Sequence, residues 1–165
     1  MISFNSLGNL GRLANQMFQY ASLKGIATRR GFDFVIPPQS KFGEVDPMVR
    51  NDPLSLYSAF NIGQKVNQGL YPHSMFYERM HTFDEELFNQ CPDNIDLFGY
   101  FQTEKYFKHI EDDIKKDFSF SKELNDTCED VINNLGGMDT ISLHIRRTDY
   151  VHNPNHPVQS IEYYQ

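Results

Sequence analysis

The most chemically loaded stretch of the chain is His144-Ile145-Arg146-Arg147-Thr148-Asp149. Just upstream, Ile141, Leu143 and Ile145 alternate with Thr140, Ser142, His144 and Arg146, the period of a strand. A strand over Thr140–Arg146 would project His144 and Arg146 from one face at its carboxyl end, with Arg147 on the other. In open α/β sheets, ligands bind just beyond the carboxyl ends of the strands. A guanidinium placed there offers a planar fork of donors that matches phosphate oxygens. The stretch is therefore a candidate nucleotide-diphosphate site. Residue types alone do not separate this from an arginine pair serving structural ion pairs around a core histidine.

Two further segments carry chemistry only through their context. Gly11-Arg12-Leu13-Ala14-Asn15-Gln16-Met17-Phe18-Gln19-Tyr20-Ala21 follows a short apolar start (Ile2, Phe4, Leu7) and the loop glycines Gly8 and Gly11. It leads into Met17, Tyr20, Ala21, Leu23 and Ala27 at helical spacing, with Gly31 as the expected C-cap. Strand, glycine turn and helix in that order aim free N–H groups at the turn, a place for an anion or a sugar hydroxyl. The turn is neither the dinucleotide fingerprint GxGxxG nor a P-loop, which would need GK[ST]. The other segment is Phe98-Gly99-Tyr100-Phe101-Gln102-Thr103-Glu104-Lys105-Tyr106-Phe107. It reads as a strand with Ile95, Leu97, Gly99 and Phe101 alternating, then Thr103 as N-cap of a helix to about Phe118. Tyr100, Phe101, Tyr106 and Phe107 read as aromatic core.

Taken together, GRLANQMFQYA, FGYFQTEKYF and SLHIRRTDYV, in that order and spacing, resemble the bacterial α-1,2-fucosyltransferases, and the resemblance runs over nearly the whole chain. The HxRRxD element is similar to one shared with α-1,6- and protein O-fucosyltransferases. The resemblance implies a metal-independent, inverting glycosyltransferase that moves L-fucose from GDP-fucose to a hydroxyl of an acceptor glycan. It gives Arg146 the diphosphate of the donor, with His144, Arg147 and Asn15 as further donor-binding positions. Arg146 and Asp149 are the catalytic assignments, Asp149 as an open choice of general base; no metal ligand and no cofactor are expected. Ala14 and Thr148 stand where family members more often have glycine, and a positive φ at position 14 would suit glycine better than alanine.

The resemblance also implies a two-domain, GT-B-like architecture: a Rossmann-like N-terminal domain over residues 1–137 and the start of the nucleotide-sugar-binding domain over 138–165. Family members continue well beyond HxRRxD, so the chain reads as truncated relative to them. A noncatalytic fragment or binding module derived from such an enzyme is the alternative function.

The bulk composition agrees with a folded enzyme. The chain has 165 residues, 39% hydrophobic and 14% aromatic, too apolar for a disordered segment. A net charge of -7 argues against nucleic acid as partner, because binding along a phosphate backbone needs an extended basic surface. No apolar run approaches the roughly 20 residues that span a bilayer, and no signal peptide is evident. Cys91 and Cys128 are far apart and outside any CxxC, as in a reducing compartment. The expectation is a cytoplasmic protein, with peripheral attachment to a membrane left open.

The elements that must position these residues alternate between strand and helix. Met1–Leu7 and Phe32–Ile36 read as parallel neighbouring strands, and Asn15–Arg30 as the helix between them. Asp52 reads as an N-cap with Pro53 at the first position of a short helix to about Phe60. The stretch Asn61–Gln90 resists assignment, apart from Asp84-Glu85-Glu86 as a charged helix start. Strand Asp96–Phe101, a helix over Thr103–Phe118 and one from Ser121 or Lys122 to Leu135 follow, with Gly136-Gly137 as a break. Such alternation predicts an α/β three-layer fold. His152 and His156 are four apart, but Pro154 and Pro157 preclude the helix that would align them on a metal.

Overall fold

The computed structural model describes residues 1–45, 54–60, 62, 66–71, 74–137, 139–145, 150–151, 154 and 157–164. The chain divides into two compact units, Met1–Cys128 and Glu129–Gln165. The first is an α/β unit around a five-stranded sheet with the order β3-β2-β1-β5-β4. Its strands are β1 (Ile2–Ser3), β2 (Phe34–Ile36), β3 (Asn67–Gln68), β4 (Ser74–Tyr77) and β5 (Ile95–Phe98). All pairings are parallel: Ile2 aligns with Phe34, Ser3 with Asp96, Val35 with Asn67, and Tyr77 with Phe98. The expected parallel pairing of the first two strands is thus present, although both are shorter than the sequence suggests.

The order matters for function. From β1 the chain winds outward to β2 and β3, whereas β5 and β4 lie on the other side of β1. The chain reaches that side by crossing to the far edge at β4 and stepping back inward to β5, so the step from β4 to β5 runs in the same direction as those from β1 to β2 and β3. The loops leaving the carboxyl ends of the adjacent strands β1 and β5 lie side by side, at the edge where open α/β sheets bind ligands.

Helix α1 (Leu13–Arg30) crosses from β1 to β2. Gly31 ends it with φ 69°, in the left-handed region, its N–H donating to the Ala27 and Thr28 carbonyls. Arg29 and Arg30 occupy the last turn, where the helix dipole favours cations. Tyr20, Leu23, Ile26 and Ala27 on its inner face join Ile2, Ile36 and Leu97 of the sheet, and Phe4 just after β1, in one buried cluster. Ala14 lies inside this helix, and among the described residues only Asn94 and Phe101 are non-glycines with positive φ, so alanine is unstrained there.

Helix α2 (Leu56–Ala59) is capped by Ser55 in a reciprocal capping box with Ser58. The expected Asp52 cap and Pro53 lie outside the described residues. The unassigned middle stretch holds β3, β4 and α3 (Glu85–Gln90), whose N-cap Asp84 accepts from the Leu87 N–H at 2.9 Å, as its charged start suggests. The single helix expected over Thr103–Phe118 is a correction. Thr103 does cap a turn, but the segment is two 3-10 turns, Glu104–Tyr106 and Lys108–Ile110, and then α4 (Glu111–Asp117). Phe107, at φ -131° and ψ 4°, breaks the helical path, and the 3-10 turn before it seats Tyr106 at 0% exposure among Phe83, Phe88 and Phe101. Burial of that ring outweighs the continuity of the helix.

Helix α5 (Lys122–Asn134) contains the division between the two units, and Gly136 and Gly137 after it both have positive φ. The strand expected over Thr140–Arg146 is not present in its described part. Residues 140–145 have no regular structure, and Ile141 is 98% exposed. Alternation supplies a face to bury, but a strand also needs a neighbour for its ladder, and none is present for 140–145 among the described residues. Among the described residues no helix is long and apolar enough to cross a membrane.

Candidate functional site

The carboxyl edge of the sheet is built by three loops and one helix end. After β1 the chain turns through Gly8 and Gly11, with φ of 82° and 81°, before entering α1. Gly11 has a second reason to be glycine: a Cβ there would lie 2.2 Å from Nδ2 of Asn15, which folds back over the turn. Arg12 is the N-cap residue, but no side chain caps the helix. Asn15, in the first turn and half-buried, faces the loop after β5, where Gln102 Nε2 donates to Asn15 Oδ1 at 2.6 Å.

The polar residues of the first motif act as clamps. Gln16, Gln19 and Ser22 lie on the buried face of α1 and are fully enclosed. Gln16 Nε2 donates to the Gly11 carbonyl at 3.3 Å, and its Oε1 accepts the Leu56 N–H at 3.1 Å. Gln19 Nε2 donates to both the Leu10 and Gly99 carbonyls at 3.0 Å. Ser22 Oγ donates to the Phe101 carbonyl at 3.2 Å. One helix therefore pins the β1 loop and the β5 loop to each other. Asp96, buried in β5, supports the same place by accepting from Ser3 Oγ at 2.9 Å and the Asn5 N–H at 2.7 Å.

On the β2 and β3 side the edge opens into a cleft of about 410 Å³ lined by Asn5, Asn9, Lys41, Glu44, Leu70 and Tyr71. Asn5 exchanges amide hydrogen bonds with the backbone of Tyr71, and Asn9 bridges the Lys41 carbonyl and the Val45 N–H. Amides, an ion pair between Lys41 and Glu44, and an aromatic ring give this cleft a mixed polar and apolar lining. The same loop that lines it continues through Gly11 to Asn15.

Of the residues singled out in the sequence, Asn15 is at this edge. His144 is exposed and belongs to the second unit. Arg146, Arg147 and Asp149 lie outside the described residues, as do His152 and His156. The structure thus brings Asn15 together with Gln102. Gln16, Gln19, Ser22, Glu78 and Gln102 went unnoticed in the sequence. For the first three a signal existed: they recur every three residues on the same arc as Tyr20 and Leu23, so they had to be buried with them. For Glu78 no local signal exists.

Residues 2–165 match the family described as glycosyl transferase family 11. The chain belongs to this family. It is similar to galactoside alpha-(1,2)-fucosyltransferase 2 of Sus scrofa, 25% identical over 155 residues, which cover 89% of this chain and 42% of that protein. The protein of the same name from Bos taurus is 26% identical with the same coverage. A third relative, galactoside 2-alpha-L-fucosyltransferase SEC1 of Bos taurus, is 26% identical over 149 residues, 86% of this chain and 37% of its own. The chain thus spans less than half the length of the curated relatives it matches. No solved structure matches it.

Proposed function

We propose that the protein is a fucosyltransferase that moves L-fucose from GDP-fucose to a hydroxyl of an acceptor glycan, forming an α-1,2 linkage with inversion and without a metal. The observation that carries this reading is the family match over residues 2–165, seated on a parallel sheet whose carboxyl-edge loops are those of the first two motifs. The acceptor hydroxyl attacks the anomeric carbon of fucose, and the bond to the β-phosphate oxygen breaks, leaving GDP with the negative charge. In a metal-independent reaction that charge is met by arginine and by oriented N–H groups. We assign Arg146 to the diphosphate, His144 and Arg147 to its support, Asp149 to proton removal from the acceptor, and Asn15 to the donor from the other loop. The cleft beside Asn5, Asn9 and Tyr71 is the seat assigned to the acceptor. Residues 1–137 are then the Rossmann-like domain and 138–165 belong to the nucleotide-sugar-binding domain, in a cytoplasmic protein.

The test is calorimetric titration of GDP into the complete protein, followed by transfer to β-galactoside acceptors with and without chelator. A charge-assisted bidentate contact is worth about 1.5–3 kcal/mol. Its loss in Arg146→Ala should weaken GDP binding about ten- to a hundredfold. Arg146→Lys should be nearly as harmful, because an ammonium cannot reproduce the fork. Unchanged GDP affinity in Arg146→Ala would remove the phosphate role, and absence of fucosylated product from the complete protein would remove the reaction itself.

A further inference from the structure

The geometry points to Glu78 as a positioning residue that fixes Asn15 through the loop after β5. Glu78 follows the last residue of β4, and its own N–H extends the ladder to the Phe98 carbonyl at 2.8 Å. Its side chain is 7% exposed. The carboxylate spends its two oxygens on two consecutive amides: Oε2 accepts the Tyr100 N–H at 2.7 Å and Oε1 the Phe101 N–H at 3.0 Å. Successive N–H groups converging on one anion make a short concave nest, here filled by a carboxylate of the protein itself.

That nest holds a backbone which the sequence alone would not adopt. Phe101 has φ 52°, in the left-handed region that a large side chain disfavours, yet its ring is fully buried against Phe4 and Tyr106. Gly99 has φ 154°, and a Cβ there would lie 2.4 Å from the Glu78 Cβ, so glycine is what lets the carboxylate approach. Ring burial and the carboxylate hold Phe101 from two sides. The next residue, Gln102, is thereby aimed at Asn15, and its Nε2 occupies Asn15 Oδ1 at 2.6 Å. Gln102 takes one of the two lone-pair positions of Asn15 Oδ1, while Nδ2 has no acceptor among the described residues, so the N–H groups are what Asn15 holds wholly free. Asn15 is thus set as a hydrogen-bond donor, suited to a phosphate or sugar oxygen; this last step rests on the role given to Asn15 above.

Glu78→Gln keeps shape and size but replaces one acceptor oxygen by an NH₂ that faces an N–H, so it tests the bonds separately from the packing. The first measurement is ¹⁵N NMR of the labelled protein. In Glu78→Gln the Tyr100 and Phe101 amides should move upfield and exchange about tenfold faster, as for loss of one charge-assisted hydrogen bond. The side-chain amide of Asn15 should move to the position of a free asparagine. In Gln102→Ala, which leaves the nest intact, the Asn15 amide should move while Tyr100 and Phe101 stay. An Asn15 side-chain amide that is unmoved in either variant overturns the proposal. The second measurement is transfer by the complete protein: Glu78→Gln should raise the donor KM about tenfold and leave the acceptor KM alone. In an Asn15→Ala background it should add nothing further, whereas multiplying effects would place its action elsewhere and overturn the proposal. If the unaltered protein transfers no fucose, the functional reading fails, and the NMR result still decides whether Glu78 positions Asn15.

Discussion

Glycine in the middle of a helix ordinarily costs about 1 kcal/mol relative to alanine, so Gly25→Ala in α1 would be stabilising if the helix stood alone. The structure reverses that sign. An alanine Cβ at position 25 would meet the Tyr106 carbonyl oxygen at 2.0 Å, its carbon at 2.8 Å and the Phe107 Cα at 2.9 Å. All three are backbone atoms, so no side chain can swing away. The 3-10 turn would have to retreat by more than 1 Å to restore an ordinary contact of about 3.4 Å or longer. That turn is held in place by the buried Tyr106 ring, packed 4.9 Å from Phe83 and 5.6 Å from Phe101, and by the Asp84 N–H donating to the Tyr106 hydroxyl at 2.8 Å. Overpacking of a fixed core costs about 1–3 kcal/mol, and contact with backbone alone puts this site near the upper end, about 3 kcal/mol. Subtracting the propensity gain of about 1 kcal/mol leaves a net loss of about 2 kcal/mol. At about 2–4 °C per kcal/mol for a chain of this size, Tm should fall by about 4–8 °C. Thermal unfolding followed by circular dichroism reads this directly. A Gly25→Ala protein as stable as the parent, or more so, would show that the helix and the turn do not meet as described and would refute the reasoning.

Two other changes follow from buried polar contacts. Asp117, with its side chain 9% exposed, accepts from the Tyr20 hydroxyl at 2.7 Å and from Lys24 Nζ at 2.5 Å. Burial, and after it the neighbouring Asp117, holds the Tyr20 hydroxyl far above its usual pKa, so it stays a neutral donor. Asp117→Asn removes the charge but keeps the shape; because Lys24 is partly open to solvent, the loss should be about 1.5–2 kcal/mol, read as a lower urea midpoint with unchanged slope. Gln19→Leu would fill the same volume but strip the Leu10 and Gly99 carbonyls of their shared donor. It should cost about 1–3 kcal/mol and speed amide exchange in both loops, and an unchanged exchange pattern would show that the clamp carries no load.

The parts of the fold legible in the sequence are those fixed by local chemistry. Apolar spacing and the glycine at 31 locate α1 and its end. The alternation of strand and helix is enough to imply a parallel pairing of β1 with β2, since a helical crossover between neighbouring strands of one sheet leaves them parallel. The strands themselves come out short because only two or three residues of each reach a partner, and partners are not written in local pattern. β4 is the clearest case: Ser74–Tyr77 is mostly exposed at the sheet edge, so no alternating burial marks it. Conversely, Ile141, Leu143 and Ile145 carry the alternation and form no strand, because the face they offer is not covered.

The site divides along the same line. Asn15 stands out because it opens a helix behind a glycine turn, a feature complete within a few residues. Its orientation is not local at all, since it depends on Gln102, 87 positions away, and Gln102 depends in turn on Glu78. The amides at 16 and 19 and the hydroxyl at 22 occupy an intermediate position. Their spacing puts them on the buried arc of α1, and buried polar groups must find partners. A helix that carries three such groups toward the carboxyl edge of a parallel sheet meets loop backbone there, here the carbonyls of Leu10, Gly11, Gly99 and Phe101 and the Leu56 N–H. Polar residues set inside an apolar arc can thus reveal that loops are being clamped, even when the loops they clamp cannot be named.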